Sequence, residues 1–292
     1  MNLFSINTGY FKLDGGAMFG VVPKSIWHKL NPADENNMCS WALRCLLIED
    51  GKRLILIDNG IGDKQSEKFF GHYFLHGDDT LEKSLNKNGF TKDDITDVFL
   101  SHLHFDHCGG SIQNNKDKTG YEPAFKNATY WSHADQWKWA TEPNAREKAS
   151  FLKENILPIK ESGQLKFVEG VVDTTSGIES ITQTNFHSGI KIFVARGHTD
   201  AMMIPVIANG DKKIVFAADL LPSAAHIPLP YVMAYDTNPL VTLKEKAAFL
   251  TIAAKENYTL FFEHDPVNEC CTLVETEKGI KQGEVFPLIE IK

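Results

Sequence analysis

The segment Ser101-His-Leu-His-Phe-Asp-His-Cys-Gly-Gly110 constrains this chain more than any other. It sets His102, His104, Asp106 and His107 within six residues, directly after the apolar run Val98-Phe99-Leu100. Three imidazoles and a carboxylate at this spacing make a metal-ligand set, and imidazole nitrogen with carboxylate oxygen suits zinc, manganese or iron(II). The strand delivers the chain to His102, and Gly109 and Gly110 allow a tight backbone path close to the ions. Two ions a few ångströms apart would make the centre hydrolytic.

The length of 292 residues suffices for one large core or two modest domains, and with no internal repeat or low-complexity linker the chain reads as a single domain over 1–292. Apolar content of 42% and charged content of 23% fit a folded soluble protein. A formal net charge of -8 argues against nucleic acid as a partner and against a polyanionic substrate. The five cysteines, Cys39, Cys45, Cys108, Cys270 and Cys271, match neither a CxxC redox pair nor a cysteine-rich zinc knot. An odd, sparse set suits a reducing compartment, and Cys108 reads as a small buried residue beside the cluster. The N-terminal stretch Met1-Asn-Leu-Phe-Ser-Ile-Asn has no basic segment followed by a long apolar one, and no run of about 18 apolar residues occurs. A cytoplasmic protein with no membrane partner is the expectation.

Trp41 to Ile48 and Leu54 to Ile57 read as a hairpin around an Asp50-Gly51 turn, and Asp58-Asn-Gly60 closes its second strand. Asp79-Thr-Leu-Glu82 is a capping-box pattern for a short helix with Leu81 and Leu85 inward, ended by Asn88-Gly89. Residues 111 to 130 read as an excursion. Ala145, Ala149, Leu152 and Ile156 predict an amphipathic helix from Asn144 to Ile156, stopped by Pro158. Strands are predicted at Ile190 to Arg196, Met202 to Ile207, Ile214 to Ala218 and Tyr258 to Phe262. Thr242-Leu-Lys-Glu245 is read as the cap of a helix with Phe249, Ile252 and Ala253 inward. This order suggests an α/β protein of two sheets with helices outside.

Three further ligand types stand at strand ends: His198 in Gly197-His-Thr-Asp200, Asp219 in Ala217-Ala-Asp-Leu220, and His264 in Glu263-His-Asp-Pro266. Polar ligands at the mouths of apolar strands are typical of sites on a rigid scaffold. With the first cluster they supply five His and two Asp, enough for two ions with an open position.

The set resembles the metallo-beta-lactamase superfamily, whose fold is a four-layered αβ/βα sandwich. The His-x-His-x-Asp-His motif is matched in full by His102, His104, Asp106 and His107, and the family's later histidine, aspartate and histidine are matched in order by His198, Asp219 and His264. The resemblance implies one ion on His102, His104 and His198, a second on Asp106, His107 and His264, and Asp219 between them. It also implies a bridging hydroxide as nucleophile. Zinc is the expected metal, with manganese and iron as alternatives. Asp58 is placed to hydrogen-bond a ligand histidine and fix its tautomer.

Within the superfamily, Asp14-Gly-Gly-Ala-Met-Phe-Gly-Val-Val-Pro23 with Trp27, and the segment Pro222 to Asp236, resemble the branch of quorum-quenching N-acyl-homoserine lactone lactonases and methyl parathion hydrolase. That implies a small apolar ester or lactone substrate. Met18, Phe19 and Trp27 are candidates to line an apolar groove, and Phe105 faces either pocket or core. His226 and Tyr231 are candidates to hydrogen-bond a substrate oxygen. Tyr231 or Tyr235 would polarise a carbonyl or protonate a leaving alkoxide. The residues read as catalytic are therefore Asp106, Asp219, Tyr231 and His226. The same centre could attack an organophosphate triester, and a metal-binding regulatory protein without turnover is the non-enzymatic alternative. The branch includes dimers, which makes a homodimer compatible with the sequence. A flavodiiron oxidoreductase would carry a carboxylate where His104 stands, and a nuclease would bring a basic stripe that is not seen. Asp200 departs from the small residue or proline of many relatives.

Overall fold

The computed structural model describes residues 1–290. The chain forms two compact units, one made of residues 1–9 and 43–168 and the other of residues 10–42 and 169 onward. Two of the three boundaries fall inside long strands, β1 (Asn2–Asp14) and β2 (Met38–Asp50), and the third falls after Val168. Among the described residues no helix is long and apolar enough to cross a membrane.

The first unit is built on a six-stranded sheet. Its remaining strands are β3 (Arg53–Ile57), β4 (Asp97–Phe99), β7 (Thr129–Ser132) and β8 (Leu165–Phe167), in the order β1-β2-β3-β4-β7-β8. A small hairpin, β5 (Ile112–Asn114) with β6 (Tyr121–Pro123), occupies the excursion after the metal motif. β2 and β3 pair antiparallel about Gly51, which takes the positive φ the tight turn requires. β3, β4, β7 and β8 then run parallel. Leu47, Leu56, Val98 and Tyr130 from the sheet, with Leu85, Ile156 and Ile159 from helices, make the core of this unit. The capping-box helix forms as Leu81–Lys87, with Thr80 as N-cap accepting from Lys83 N at 3.2 Å.

One helix prediction needs correction. Residues 144 to 150 do not form the expected amphipathic helix; the helix runs over Lys153–Glu161 and contains Pro158 instead of stopping before it. Asn144 Oδ1 accepts from the backbone N–H groups of Arg146 and Glu147 (2.8 and 3.2 Å), and this turn carries the Glu147 side chain into the interior. A side-chain turn of this kind competes directly with helical hydrogen bonding.

The second unit holds an eight-stranded sheet. Its strands are β9 (Val171–Asp173), β10 (Glu179–Thr182), β11 (Ile190–Ala195), β12 (Met202–Asn209), β13 (Lys212–Phe216), β14 (Thr259–Phe261), β15 (Cys270–Thr276) and β16 (Gly279–Phe286), ordered β16-β15-β14-β13-β12-β11-β10-β9. Only β13 and β14 pair parallel. The helix Pro239–Lys255 packs Phe249 edge-on to Phe193 of β11, with ring centroids 5.6 Å apart. That helix begins before the predicted cap: Asn238 is the N-cap, Pro239 fills the first turn, and Thr242 lies inside. Proline at that position gives up an N–H that would have no intrahelical partner anyway.

Candidate metal centre

In the first unit, the parallel register of β3 and β4 decides which residues meet. Ile57 lies opposite Phe99, so the chain leaves both strands at the same edge and Asp58 comes up beside Ser101. Asp58 sits at φ +55°, a left-handed conformation that Asp tolerates better than most residues. Its Oδ1 accepts from Ser101 N at 2.7 Å and its Oδ2 from Ser101 Oγ at 2.5 Å. The motif turn is pinned to the β3 end by Asn59 N donating to His107 O (2.9 Å) and Gly110 N donating to Gly60 O (3.1 Å). A Cβ at Gly109 would lie 2.1 Å from Ile61 O, so no larger residue fits this closure.

Each motif histidine has one ring nitrogen engaged by an acceptor and the other directed at a fellow ligand. His102 Nδ1 meets Ser101 Oγ at 3.1 Å, and because that hydroxyl gives its proton to Asp58, the imidazole is the donor. His104 Nε2 meets Glu147 Oε1 at 3.2 Å. His107 Nδ1 meets Asp58 Oδ2 at 3.0 Å, and its Nε2 is 3.8 Å from Asp106 Oδ2. These bonds assign the lone pairs to His102 Nε2, His104 Nδ1 and His107 Nε2. His102 Nε2 and His104 Nδ1 then lie 3.0 Å apart, lone pair to lone pair. That contact is repulsive unless a proton or a metal cation sits between them, so the donor set fits a metal ion.

The second unit repeats the logic. β13 and β14 leave their parallel pairing together, with Phe216 opposite Phe261, and so carry Asp219 and His264 to one edge. Asp219 lies between two histidines: Oδ2 is 3.1 Å from His198 Nε2 and Oδ1 is 3.2 Å from His264 Nε2. The outer nitrogens are again engaged, His198 Nδ1 by Asp236 Oδ1 at 2.8 Å and His264 Nδ1 by Ala42 O at 2.8 Å. Burial alone would depress the His198 pKa, yet the flanking Asp219 and Asp236 outweigh it and raise it to about 10. The pocket around His198 therefore favours a positive charge. Gly197 lets the loop lie on the long helix, since a Cβ there would fall 2.2 Å from Thr242 N.

All seven predicted ligands, His102, His104, Asp106, His107, His198, Asp219 and His264, are buried and belong to His/Asp clusters of the kind that holds a metal ion. Cys108 is not among them. Its thiol faces Leu103 O at 3.4 Å, and burial pushes it up to about 12, which keeps it protonated.

Other candidates fall elsewhere. His226 is 1% exposed with both nitrogens engaged, Nδ1 by Ser223 Oγ (2.8 Å) and Nε2 by Met18 O (2.9 Å). Its ring stacks on Phe19 at 4.7 Å, and Phe19 stacks on Trp27 at 5.4 Å. Burial lowers the His226 pKa to about 3. The ring is a neutral packing element, which corrects its reading as a substrate contact, and Met18, Phe19 and Trp27 are core residues of this unit instead of an open groove. Tyr231 is half-buried, with its carbonyl held by Lys246 Nζ at 2.8 Å, and Tyr235 is exposed. Asp200 pairs with Arg196 at 2.7 Å, which also meets Glu179 at 3.1 Å, so an ion pair accounts for this departure.

Beside the motif turn lies an aromatic cluster that the sequence did not announce. Phe105 packs against Phe69 (5.3 Å) and Tyr73 (4.7 Å), both half-buried. Burial, reinforced by the nearby Asp106 carboxylate, raises the Tyr73 phenol to about 12. The roles of Glu147 and Asp236 were also missed; each engages the outer nitrogen of a candidate ligand histidine and lies far from it in sequence.

Residues 44–114 match the model of the metallo-beta-lactamase superfamily. An N-acyl homoserine lactonase of Bacillus cereus is 25% identical over 273 residues, covering 90% of this chain and 91% of its own. The structure of a probable metal-dependent hydrolase from Staphylococcus aureus superposes with a TM-score of 0.84 at 28% identity, over 98% of this chain and 96% of the other. That of AidC, a dizinc quorum-quenching lactonase, gives 0.74 at 24% identity, over 98% and 93%. The expected fold is borne out: this is a mixed α/β protein of central sheets flanked by helices, consistent with the αβ/βα sandwich. The chain is thus similar to the metallo-beta-lactamase superfamily over residues 44–114, and over most of its length to N-acyl homoserine lactonases and to a probable metal-dependent hydrolase.

Proposed function

We propose that this protein is a metal-dependent hydrolase that opens lactones of the N-acyl-homoserine type on a pair of divalent ions, zinc being the metal expected. His102, His104 and His198 would hold one ion, Asp106, His107 and His264 the other, and Asp219 both. One observation carries the reading: every histidine of the set has one nitrogen engaged by an acceptor and the other aimed at a fellow ligand. When bound, such ions supply a water nucleophile near neutral pH and polarise the substrate carbonyl. The chain's own residues do the rest. Ser101, Glu147, Asp58, Asp236 and Ala42 O keep the ligand lone pairs inward, and Asp219 presents one oxygen to each of its neighbouring histidines. Phe69, Tyr73 and Phe105 offer an apolar wall beside the motif turn, which suits an acyl chain. Tyr231 is the group proposed to hydrogen-bond a substrate oxygen.

The test is hydrolysis of long-chain N-acyl-homoserine lactones by metal-replete protein, with a paraoxon-like triester and nitrocefin alongside. A lactone kcat/KM of about 10⁴ M⁻¹s⁻¹ or above, within the ordinary enzyme range, is the expected result. Preferential triester turnover would reassign the substrate. Two bound ions with no turnover of any ester would sink the enzymatic reading.

A further inference from the structure

The segment from Asn144 to Phe151 has the apolar spacing of a helix and does not form one. It closes over His104 instead. Glu147 accepts from His104 Nε2 with Oε1 (3.2 Å), while Oε2 accepts from Trp139 Nε1 (2.6 Å) and Asn144 Nδ2 (2.9 Å). The carboxylate is 3% exposed. Phe105 N donates to Ser150 O at 3.0 Å, which ties the segment to the motif backbone, and the Phe151 ring lies 4.9 Å from the His104 imidazole.

We infer that Glu147 is the positioning residue of His104: it holds the proton on Nε2 and so makes Nδ1 the metal-facing nitrogen. The inference rests on the proposed metal centre. Its physical basis is that a short ligand turn cannot choose the tautomer of its own histidine; the choice belongs to whatever accepts from the outer nitrogen. Here that acceptor is a carboxylate held by two further donors, so turning away would cost the half-buried Trp139 and Asn144 N–H groups their acceptor. The carboxylate also raises the basicity of the ring, which strengthens it as a ligand. Periodicity in the segment has been given up for this contact.

The experiment is cobalt(II) titration of metal-free protein, wild type, Glu147→Gln and Glu147→Ala, read by the visible d–d spectrum and by competition with a chromophoric chelator. Circular dichroism melts of the metal-free proteins report folding separately. Glu147→Ala is expected to weaken one of the two ions by about 10- to 100-fold and to change the d–d band, with the other ion affected less. Glu147→Gln keeps the length of the side chain but sets an amide N–H₂ among donors, and is expected to fall between wild type and Ala. A Glu147→Ala protein that folds, binds both ions with wild-type affinity and gives the wild-type spectrum would overturn the inference while leaving the metal centre standing. Should Ala fail to fold, a folded Glu147→Gln with wild-type affinities and spectrum overturns it equally. Wild-type protein that takes up no cobalt would overturn the metal centre and this inference together.

Discussion

Asp58→Asn is the substitution whose consequences follow most directly from the geometry. The backbone at residue 58 is left-handed, and Asn accepts that conformation as readily as Asp, so the main chain has no reason to move. The amide oxygen can still accept from Ser101 N, where Asp58 Oδ1 does so now at 2.7 Å. The amide nitrogen must then face Ser101 Oγ and His107 Nδ1, which both donate to Oδ2 in the native protein. It can only donate to them. His107 would have to move its proton to Nε2, and Ser101 Oγ, now accepting, would turn its own proton toward His102 Nδ1 and drive His102 the same way. One exchanged atom therefore reverses the tautomers of two ligand histidines and aims N–H groups where lone pairs faced before. A hydrogen bond to a charged group contributes about 1.5–3 kcal/mol and a neutral one about 0.5–1.5, so two such exchanges remove about 2–3 kcal/mol of metal binding. That is about 30- to 150-fold in affinity. Zinc titration of metal-free protein against a chromophoric chelator measures it, with a metal-free melt as the folding control. A folded Asp58→Asn protein whose zinc affinities stay within about threefold of wild type would refute the tautomer argument.

Two other outcomes follow from the second unit. Asp219→Ala removes the carboxylate shared by His198 and His264, and is expected to lose at least one ion and about 100-fold or more of turnover; metal analysis with near-normal rate and two ions retained would defeat the role given to Asp219. Lys246 is wholly buried, with Nζ donating to Pro228 O (2.9 Å) and Tyr231 O (2.8 Å), and burial lowers its pKa from 10.5 to about 7 against the opposing charge of Asp236. The unfolded chain therefore binds this proton more tightly, and its contribution to stability rises with pH from about 7 to 10.5, by at most about 1.4 kcal/mol per pH unit. Urea unfolding of wild type and Lys246→Met across that window should show the wild type gaining on the variant, and parallel curves would contradict the shift.

The candidate ligands were legible because they follow strands closely in sequence, four of them the single strand β4. An apolar run followed by His102 or Asp219 needs no knowledge of distant chain, and the parallel pairings of β3 with β4 and β13 with β14 then bring those strand ends together. The residues that orient the ligands are a different matter. Asp58 is 49 positions from His107, Glu147 is 43 from His104, and Asp236 is 38 from His198. Asp58 could be anticipated because it too ends a strand. Glu147 could not, since Ala145, Ala149, Leu152 and Ile156 spell a helix, and the demand of a buried carboxylate for donors overrides that period. Asp236 stands in a loop with no pattern, at the far end of the segment that Lys246 clasps. His226 failed in the opposite direction: an imidazole in the segment after Asp219 invites a catalytic role, and only the path of the chain shows Ser223 and Met18 O occupying both its nitrogens. A ligand motif states that a metal can be held, while the acceptors behind it decide which nitrogen faces inward and how basic it is. A chain could keep every motif residue, lose Asp58, Glu147 and Asp236, and read unchanged by its motifs while binding metal orders of magnitude more weakly. On the proposed reading, metal affinity would hang on three carboxylates that lie outside the His-x-His-x-Asp-His motif.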